Sequence, residues 1–284
     1  MLKLNNVQKD YDLFSLKCSM TIVNGQISGL IGKNGAGKST TFKAILDLIS
    51  IDGGTIEIFD KDHKELTNLD KQKIGVVLSH TGFSEYLNII DISAILEKFY
   101  NDFSKEHFIN QCQQQGLPLN KKINTFSTGM KAKLKILIAL SHHVELLILD
   151  EPTAGLDVLA RDELLDLLRD YMSQNENCSI LMSSHISSDL ESICDDIYMI
   201  DQGKIVLHED TDVLLSDYAI LKVSEEQYQT LDKKYILKYM KETYGYSCLT
   251  KEKQFYVDNY KDIVIENSNI DKVMMIMIRG EQAC

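Results

Sequence analysis

No stretch of this chain approaches the roughly 20 apolar residues that a helix needs to cross a bilayer. Its longest apolar runs, Leu146–Leu149 and Val273–Ile278, have the length of a core element. The N-terminus MLKLNNVQKD lacks an apolar signal segment. Tryptophan is absent and there are only two prolines, so few breakers mark where one domain ends and another begins. The six cysteines (Cys18, Cys112, Cys178, Cys194, Cys248 and Cys284) form no C-x-x-C pair, a scatter that suits reduced thiols better than a disulfide framework or a zinc site. Positive charge is also in short supply: 30 Lys and Arg against 42 Asp and Glu leave a net charge of −12. Such a surface repels phosphate backbones, which argues against a nucleic-acid partner. Together these absences predict a cytoplasmic chain with no membrane span of its own.

What is present is a core-forming composition, 44% hydrophobic over 284 residues, enough for one large domain and a smaller one. Short apolar runs at Gln26–Ile31, Ile74–Leu78, Leu146–Asp150 and Ser179–Ser183 read as strands buried on both faces. Between them, Ser39–Ile49, Ile89–Tyr100, Lys105–Gln115, Gly129–Ser141 and Val158–Met172 read as helices. The alternation predicts a doubly wound α/β sheet with ligands at the C-terminal ends of its strands. Gly53–Phe59, and the pair Ile197–Asp201 and Lys204–His208 around Gln202-Gly203, predict a small antiparallel flank. Residues 84–142 carry three helical patterns and no strand, as an inserted helical subdomain would. After residue 210 the pattern becomes a second αβ mixture, with strands expected at Ala219–Val223, Tyr246–Thr250 and Gln254–Asp258. A final helix is expected at Ile270–Arg279 behind a cap at Ser268-Asn269, with the methionine-rich run 274–277 in its core.

The chemistry begins at Gly32-Lys33-Asn34-Gly35-Ala36-Gly37-Lys38-Ser39-Thr40, which fits G-x-x-x-x-G-K-[ST] directly between a strand and a helix. In this kind of loop the glycines let successive amides turn inward around a triphosphate, the lysine reaches the β- and γ-oxygens, and the serine hydroxyl ligates Mg²⁺. The strand Leu146–Glu151 (LLILDE) ends in two carboxylates. Buried ions there require a counterion. Mg²⁺ held by Ser39 supplies one, with Asp150 at the metal and Glu151 positioned to deprotonate an attacking water. His185 follows Ser179–Ser183 closely enough to reach the same sheet edge, where an imidazole can hydrogen-bond a γ-phosphate.

A further stretch, TFSTGMKAKLKIL at 125–137, starts a basic helix on a Ser-Thr-Gly cluster. Met130, Leu134, Leu137, Ile138 and Ser141 form its core-facing stripe. On this stretch alone Ser127 reads first as an N-cap, since caps far outnumber anion sites; the alternative is that the open amides behind it receive an anion.

In combination these motifs resemble the nucleotide-binding subunit of an ATP-binding cassette (ABC) transporter over about residues 1–210. The phosphate loop, LLILDE, Pro152-Thr153-Ala154-Gly155-Leu156-Asp157 and Ser183-Ser184-His185 occur in that family's order. The resemblance implies a P-loop NTPase (RecA-like) core with an antiparallel β flank, an inserted helical subdomain and, in this chain, a small C-terminal α+β extension over 211–284. It implies ATP and Mg²⁺ as ligands, Tyr11 stacking on adenine, and His185 on the γ-phosphate. Asp157 would lie in the loop where two subunits touch. Ser127 and Gly129 would occupy the family's signature position and bind ATP held by the opposite subunit of a homodimer or heterodimer.

The form S-x-G-M-K resembles export-type members, including peptide and antimicrobial exporters whose permease is a separate membrane protein. Peripheral attachment to the inner face of the membrane through that permease follows. One departure stands out: Ser79, followed by His80, aligns with a glutamine that contacts Mg²⁺ in most members. Either water bridges the gap, or His80 reaches in, or coupling is looser. The competing readings are a soluble ABC ATPase acting on ribosomes or DNA, and a small-molecule kinase or GTPase. The first is disfavoured by the single cassette and acidic balance, the second by the absence of N-K-x-D.

Overall fold

The computed structural model describes residues 1–78 and 82–282, so Ser79 and His80 lie outside the described residues. The chain opens with a hairpin, β1 (Leu2–Tyr11) and β2 (Phe14–Ile22), followed by β3 (Ile27–Ile31) and α1 (Lys38–Ile45). Then come β4 (Gly53–Ile58), β5 (Lys61–Asp62), α2 (Asn68–Lys71) and β6 (Ile74–Val77). Three helices follow without a strand: α3 (Ile89–Phe99), α4 (Lys105–Gln114) and α5 (Thr128–Ala139). The chain returns to the sheet through β7 (Leu146–Asp150), α6 (Val158–Gln174), β8 (Ser179–Ser184), α7 (Ser187–Ile193), β9 (Asp196–Asp201) and β10 (Lys204–Asp210).

These ten strands make one sheet in the order β5-β4-β1-β2-β10-β9-β3-β8-β7-β6. From β9 to β6 every pairing is parallel, whereas β5, β4, β1 and β2 pair antiparallel with one another, and β2 meets β10 in parallel. The hairpin β9–β10 was expected as flank, and β10 does pair antiparallel with β9. β9 also pairs in parallel with β3, so it belongs to the parallel core as well. Leu146, Leu147, Ile148 and Leu149 are all fully buried, because α1 packs near one face of the sheet and α6 near the other. At about 1.5–3 kcal/mol per large apolar side chain, this one strand anchors the core beneath the sheet's C-terminal edge. Strands β3, β8 and β7 are neighbours, so the segments that follow them emerge side by side.

α5 bridges two cores. Leu134 and Leu137 pack with Ile89, Ile92, Leu96, Phe108 and Phe126 in the helical layer. Ile136 and Ala139, on another face, pack with Leu147, Leu149 and Leu164 in the sheet core. The helix is therefore buried on more than the single stripe read from the sequence. It ends at Ala139, and Ser141 lies beyond it, its hydroxyl donating to the Ile138 carbonyl.

Beyond β10 lie α8 (Thr211–Ser216), β11 (Ala219–Val223), α9 (Glu225–Thr230), β12 (Ile236–Glu242), β13 (Gly245–Thr250), α10 (Lys253–Asn259), β14 (Val264–Asn267) and α11 (Ile270–Arg279). A second sheet, β12-β13-β11-β14, is antiparallel throughout. The expected strand at Gln254–Asp258 is a correction: these residues lie inside α10. Tyr256 is fully buried there and donates its hydroxyl to the Asp232 carbonyl at 2.6 Å, while Val257 faces out. Of the methionine run, Ile276 is buried and Met274 and Met277 pack against the core, but Met275 is 40% exposed.

Candidate functional site

The sheet's C-terminal edge brings three chain segments together. After β3 the backbone runs through Gly32–Gly37 into α1. A Cβ on Gly32 would stand 2.4 Å from the Ile200 carbonyl oxygen, so the loop closes against β9 only without a side chain there. The N-cap of α1 is Gly37, which supplies no side-chain acceptor for the helix's first amides. An anion is the natural partner for such an N-terminus.

Lys38 is buried, and a buried ammonium must be paired. Its Nζ donates to the Gly32 carbonyl at 2.7 Å and stands 3.3 Å from Glu151 Oε1. Ser39 donates its hydroxyl to Asp150 Oδ2 at 3.1 Å, and Ser183 donates to the other oxygen, Oδ1, at 2.8 Å. Ser183 Oγ also accepts the Glu151 amide at 3.0 Å. Glu151 has a φ of 53°, an uncommon left-handed conformation outside glycine. The turn carries its carboxylate across to Lys38 and His185. Glu151 Oε2 accepts the His185 amide at 3.1 Å and stands 2.5 Å from His185 Nδ1.

Tyr11, Leu13, Phe14, Lys33, Asn34 and Gly35 join Gly37, Lys38, Ser39, Thr40, Asp150, Glu151 and His185 around one cleft of about 780 Å³. Tyr11 ends β1 and remains 48% exposed, its ring tilted against that of Phe14 at 6.3 Å. Ala36 is buried beneath the loop. The hydroxyl of Ser39 beside the buried carboxylate of Asp150 is an all-oxygen donor set, which fits Mg²⁺ with a nucleotide's phosphates completing its shell.

Ser127, Gly129 and Asp157 do not line this cleft. Ser127 is exposed and caps α5, accepting the Met130 amide at 3.2 Å. A Cβ on Gly129 would stand 3.1 Å from that of Ala160, so this glycine also permits the close approach of α5 and α6. Asp157 is exposed and caps α6 through the Ala160 amide at 2.9 Å.

Sequence reasoning missed Ser183 as the bridge between Asp150 and Glu151, although its place at a strand end beside His185 was a usable signal. It also missed a buried network behind the site. Thr153 donates to Asp189 Oδ2 at 2.6 Å, and Arg161 Nε stands 3.5 Å from Asp189 Oδ1. Burial pushes the Asp189 carboxyl above its ordinary range, against the opposing pull of Thr153 and Arg161. Nothing local in the sequence announces that three-way contact.

The chain matches the ABC transporter family over residues 16–154. It is 35% identical over 216 residues to the lantibiotic transport ATP-binding protein SrtF of Streptococcus pyogenes, spanning 75% of this chain and 92% of that one. It is 33% identical over 210 residues to the bacitracin transport ATP-binding protein BcrA of Enterococcus faecalis, covering 72% of this chain and 68% of its relative. A solved dimer of the ATP-binding cassette MJ0796 in a post-hydrolysis state, bound to ADP and Pi, shares the fold. That likeness has a TM-score of 0.66 at 20% identity, over 74% of this chain and 99% of that one.

Proposed function

This chain belongs to the ABC transporter family as an export-type, ATP-hydrolysing subunit, and from that premise we propose which of its residues carry the reaction and with what it assembles. The observation that carries the proposal is the convergence of Lys38 and His185 on the Glu151 carboxylate, inside a cleft walled by the phosphate loop.

Tyr11 stacks on the adenine at the cleft mouth. The loop of Gly32, Lys33, Asn34, Gly35, Ala36 and Gly37, with Ser39 and Thr40, cradles the phosphates; the Ala36 amide closes that loop by donating to the Lys33 carbonyl at 3.0 Å, and Lys38 meets the β- and γ-oxygens. Ser39 and Asp150 would hold Mg²⁺, which when bound would supply positive charge beside the phosphate oxygens. Glu151 accepts a proton from the attacking water. His185 orients that carboxylate through Nδ1 and turns its other ring nitrogen toward the γ-phosphate. Because Glu151 is already held by the amide and ring of His185, the base is positioned before substrate arrives.

Ser127 and Gly129 stand exposed or half-exposed at the start of α5, outside their own chain's cleft. They serve the ATP of a second subunit, with Asp157 near the contact. Residues 1–210 form the ATPase unit, with 84–142 facing a separate membrane permease, and residues 211–284 are an accessory extension. No helix among the described residues is long and apolar enough to cross a membrane, and attachment to the membrane's inner face is through the permease. The lantibiotic and bacitracin relatives support a cargo of the peptide-antibiotic class.

The test is ATP turnover by the purified chain and its Lys38→Ala variant. Loss of phosphate release together with at least about tenfold weaker ATP binding is expected, since a charge-assisted contact is worth about 1.5–3 kcal/mol. Unchanged binding would remove Lys38 from the site.

A further inference from the structure

The helix that follows His185 is held from behind by the C-terminal extension. α7 begins at Ser187, two residues after His185, and its N-cap Ile186 makes no side-chain cap. Ser187 is buried, and its hydroxyl donates to Asp271 Oδ2, in the first turn of α11, at 2.8 Å. The exchange is reciprocal: Glu191 on α7 accepts the Ile270 amide, the first of α11, through Oε1 at 2.8 Å. Each helix start is thus met by a carboxylate from the other, the sign that suits the positive end of a helix.

The contact is not a loose surface touch. Ile270, Val273 and Ile276 of α11 are fully buried in one core with Leu190, Cys194 and Ile197. The far end of α11 is fixed as well, because Glu281 forms a two-hydrogen-bond bridge with Tyr239 on β12, at 2.8 and 2.9 Å. On the opposite side, Asp189 ties the same α7 to Thr153, in the loop after Glu151. α7 is therefore clamped between the extension and the loop that carries the catalytic carboxylate.

We infer that Asp271 and Glu191 are positioning residues for His185: through Ser187 and α7, the C-terminal extension sets the placement of the histidine that meets the γ-phosphate. This rests on the role given to His185 above. The extension then acts on discrimination between ATP and ADP, which differ only at that phosphate, and loosening the clamp weakens the ATP-bound state selectively.

The experiment measures binding of ADP and of AMP-PNP, a slowly hydrolysed ATP analogue, to the full chain by titration calorimetry. The proteins are wild type, His185→Ala, the double variant Asp271→Ala/Glu191→Ala, and Asp271→Asn. Asparagine keeps an oxygen that can accept from Ser187. The double variant is expected to bind AMP-PNP about fivefold more weakly, the scale of one or two net hydrogen bonds, with ADP affinity unchanged within twofold. His185→Ala loses the same discrimination, and Asp271→Asn retains it. A structural defect would weaken both nucleotides together. If the double variant weakens both equally, or neither, while His185→Ala is selective, the positioning role is overturned and the γ-phosphate role stands. If His185→Ala itself leaves discrimination intact, the γ-phosphate role falls and takes the inference with it.

Discussion

Glu151 Oε2 stands 2.5 Å from Nδ1 of His185, and the other oxygen of the same carboxylate stands 3.3 Å from Nζ of Lys38. One side chain thus spans the two groups assigned to the γ-phosphate, one from the segment after β3 and one from the segment after β8. Those strands are hydrogen-bonded neighbours, paired from Ile27↔Ile180 to Ile31↔Ser184. The triangle is a consequence of strand order and of the left-handed turn at Glu151.

Ser127 caps α5 in its own chain and is assigned to a nucleotide held by another. Ser127→Arg removes the cap, which costs about 1 kcal/mol, and places a bulky cation at the expected subunit contact. ATP binding by the isolated chain is expected to remain within twofold of wild type, measured at concentrations where no dimer forms. Hydrolysis that depends on protein concentration is expected to disappear. Collapse of binding to the single chain would place Ser127 in its own chain's site.

Tyr11 presents a half-exposed ring at the cleft mouth. Base–aromatic stacking is worth about 1–3 kcal/mol per ring, so Tyr11→Ala is expected to weaken ATP binding by about tenfold or more with little change in melting temperature. Tyr11→Phe should retain the affinity. An unchanged dissociation constant for the alanine variant would assign the base to another surface of the cleft.

His142 lies just beyond α5, buried, with its ring stacked on Tyr100 at 3.8 Å. Burial is the main cause that lowers its pKa to about 4, with His143 adding to it and the Ile74 backbone opposing. The folded protein therefore binds fewer protons at this site than the unfolded chain between pH 6.5 and 4. Stability from this residue is complete above pH 6.5 and is lost as pH falls toward 4, by about 3 kcal/mol. His142→Phe keeps the stack and removes the titration. Denaturant unfolding of the two proteins from pH 7 to 4 is expected to show a shallower acid loss in the variant, and parallel curves would contradict the assignment.

The parts of the fold that the sequence announces are those where local pattern and burial agree. LLILD is apolar throughout because both sheet faces are covered, and FSTGMK reads as a helix start because a cap is local chemistry. The hairpin partner β2, FSLKCSMTI, alternates cleanly and was open to the same reading. QFYVD favours a strand by side-chain propensity, yet it is helical: Tyr256 is buried, with Phe255 and, one turn on, Tyr260 packed in the same core, while Val257 faces out. β9 looked like flank because its hairpin with β10 is local, whereas its pairing with β3 spans most of the chain. Within the site, the phosphate loop, Asp150, Glu151 and His185 carry motif spacing. The ties through Ser183, Asp189 and Asp271 join residues between 33 and 84 positions apart in the chain, and no periodicity encodes such contacts.

The account turns on Glu151 as the base within a two-subunit assembly, and Glu151→Gln separates binding from chemistry. The variant keeps the shape and the oxygen that can accept from His185, but it cannot take a proton at neutral pH. Sedimentation with and without ATP, run beside a phosphate-release assay, tests both halves at once. The expected result is an ATP-dependent dimer of the variant with hydrolysis at least about a hundredfold slower than wild type, the scale of a lost general base. Undiminished hydrolysis, or an ATP-saturated variant that stays monomeric, would contradict the account.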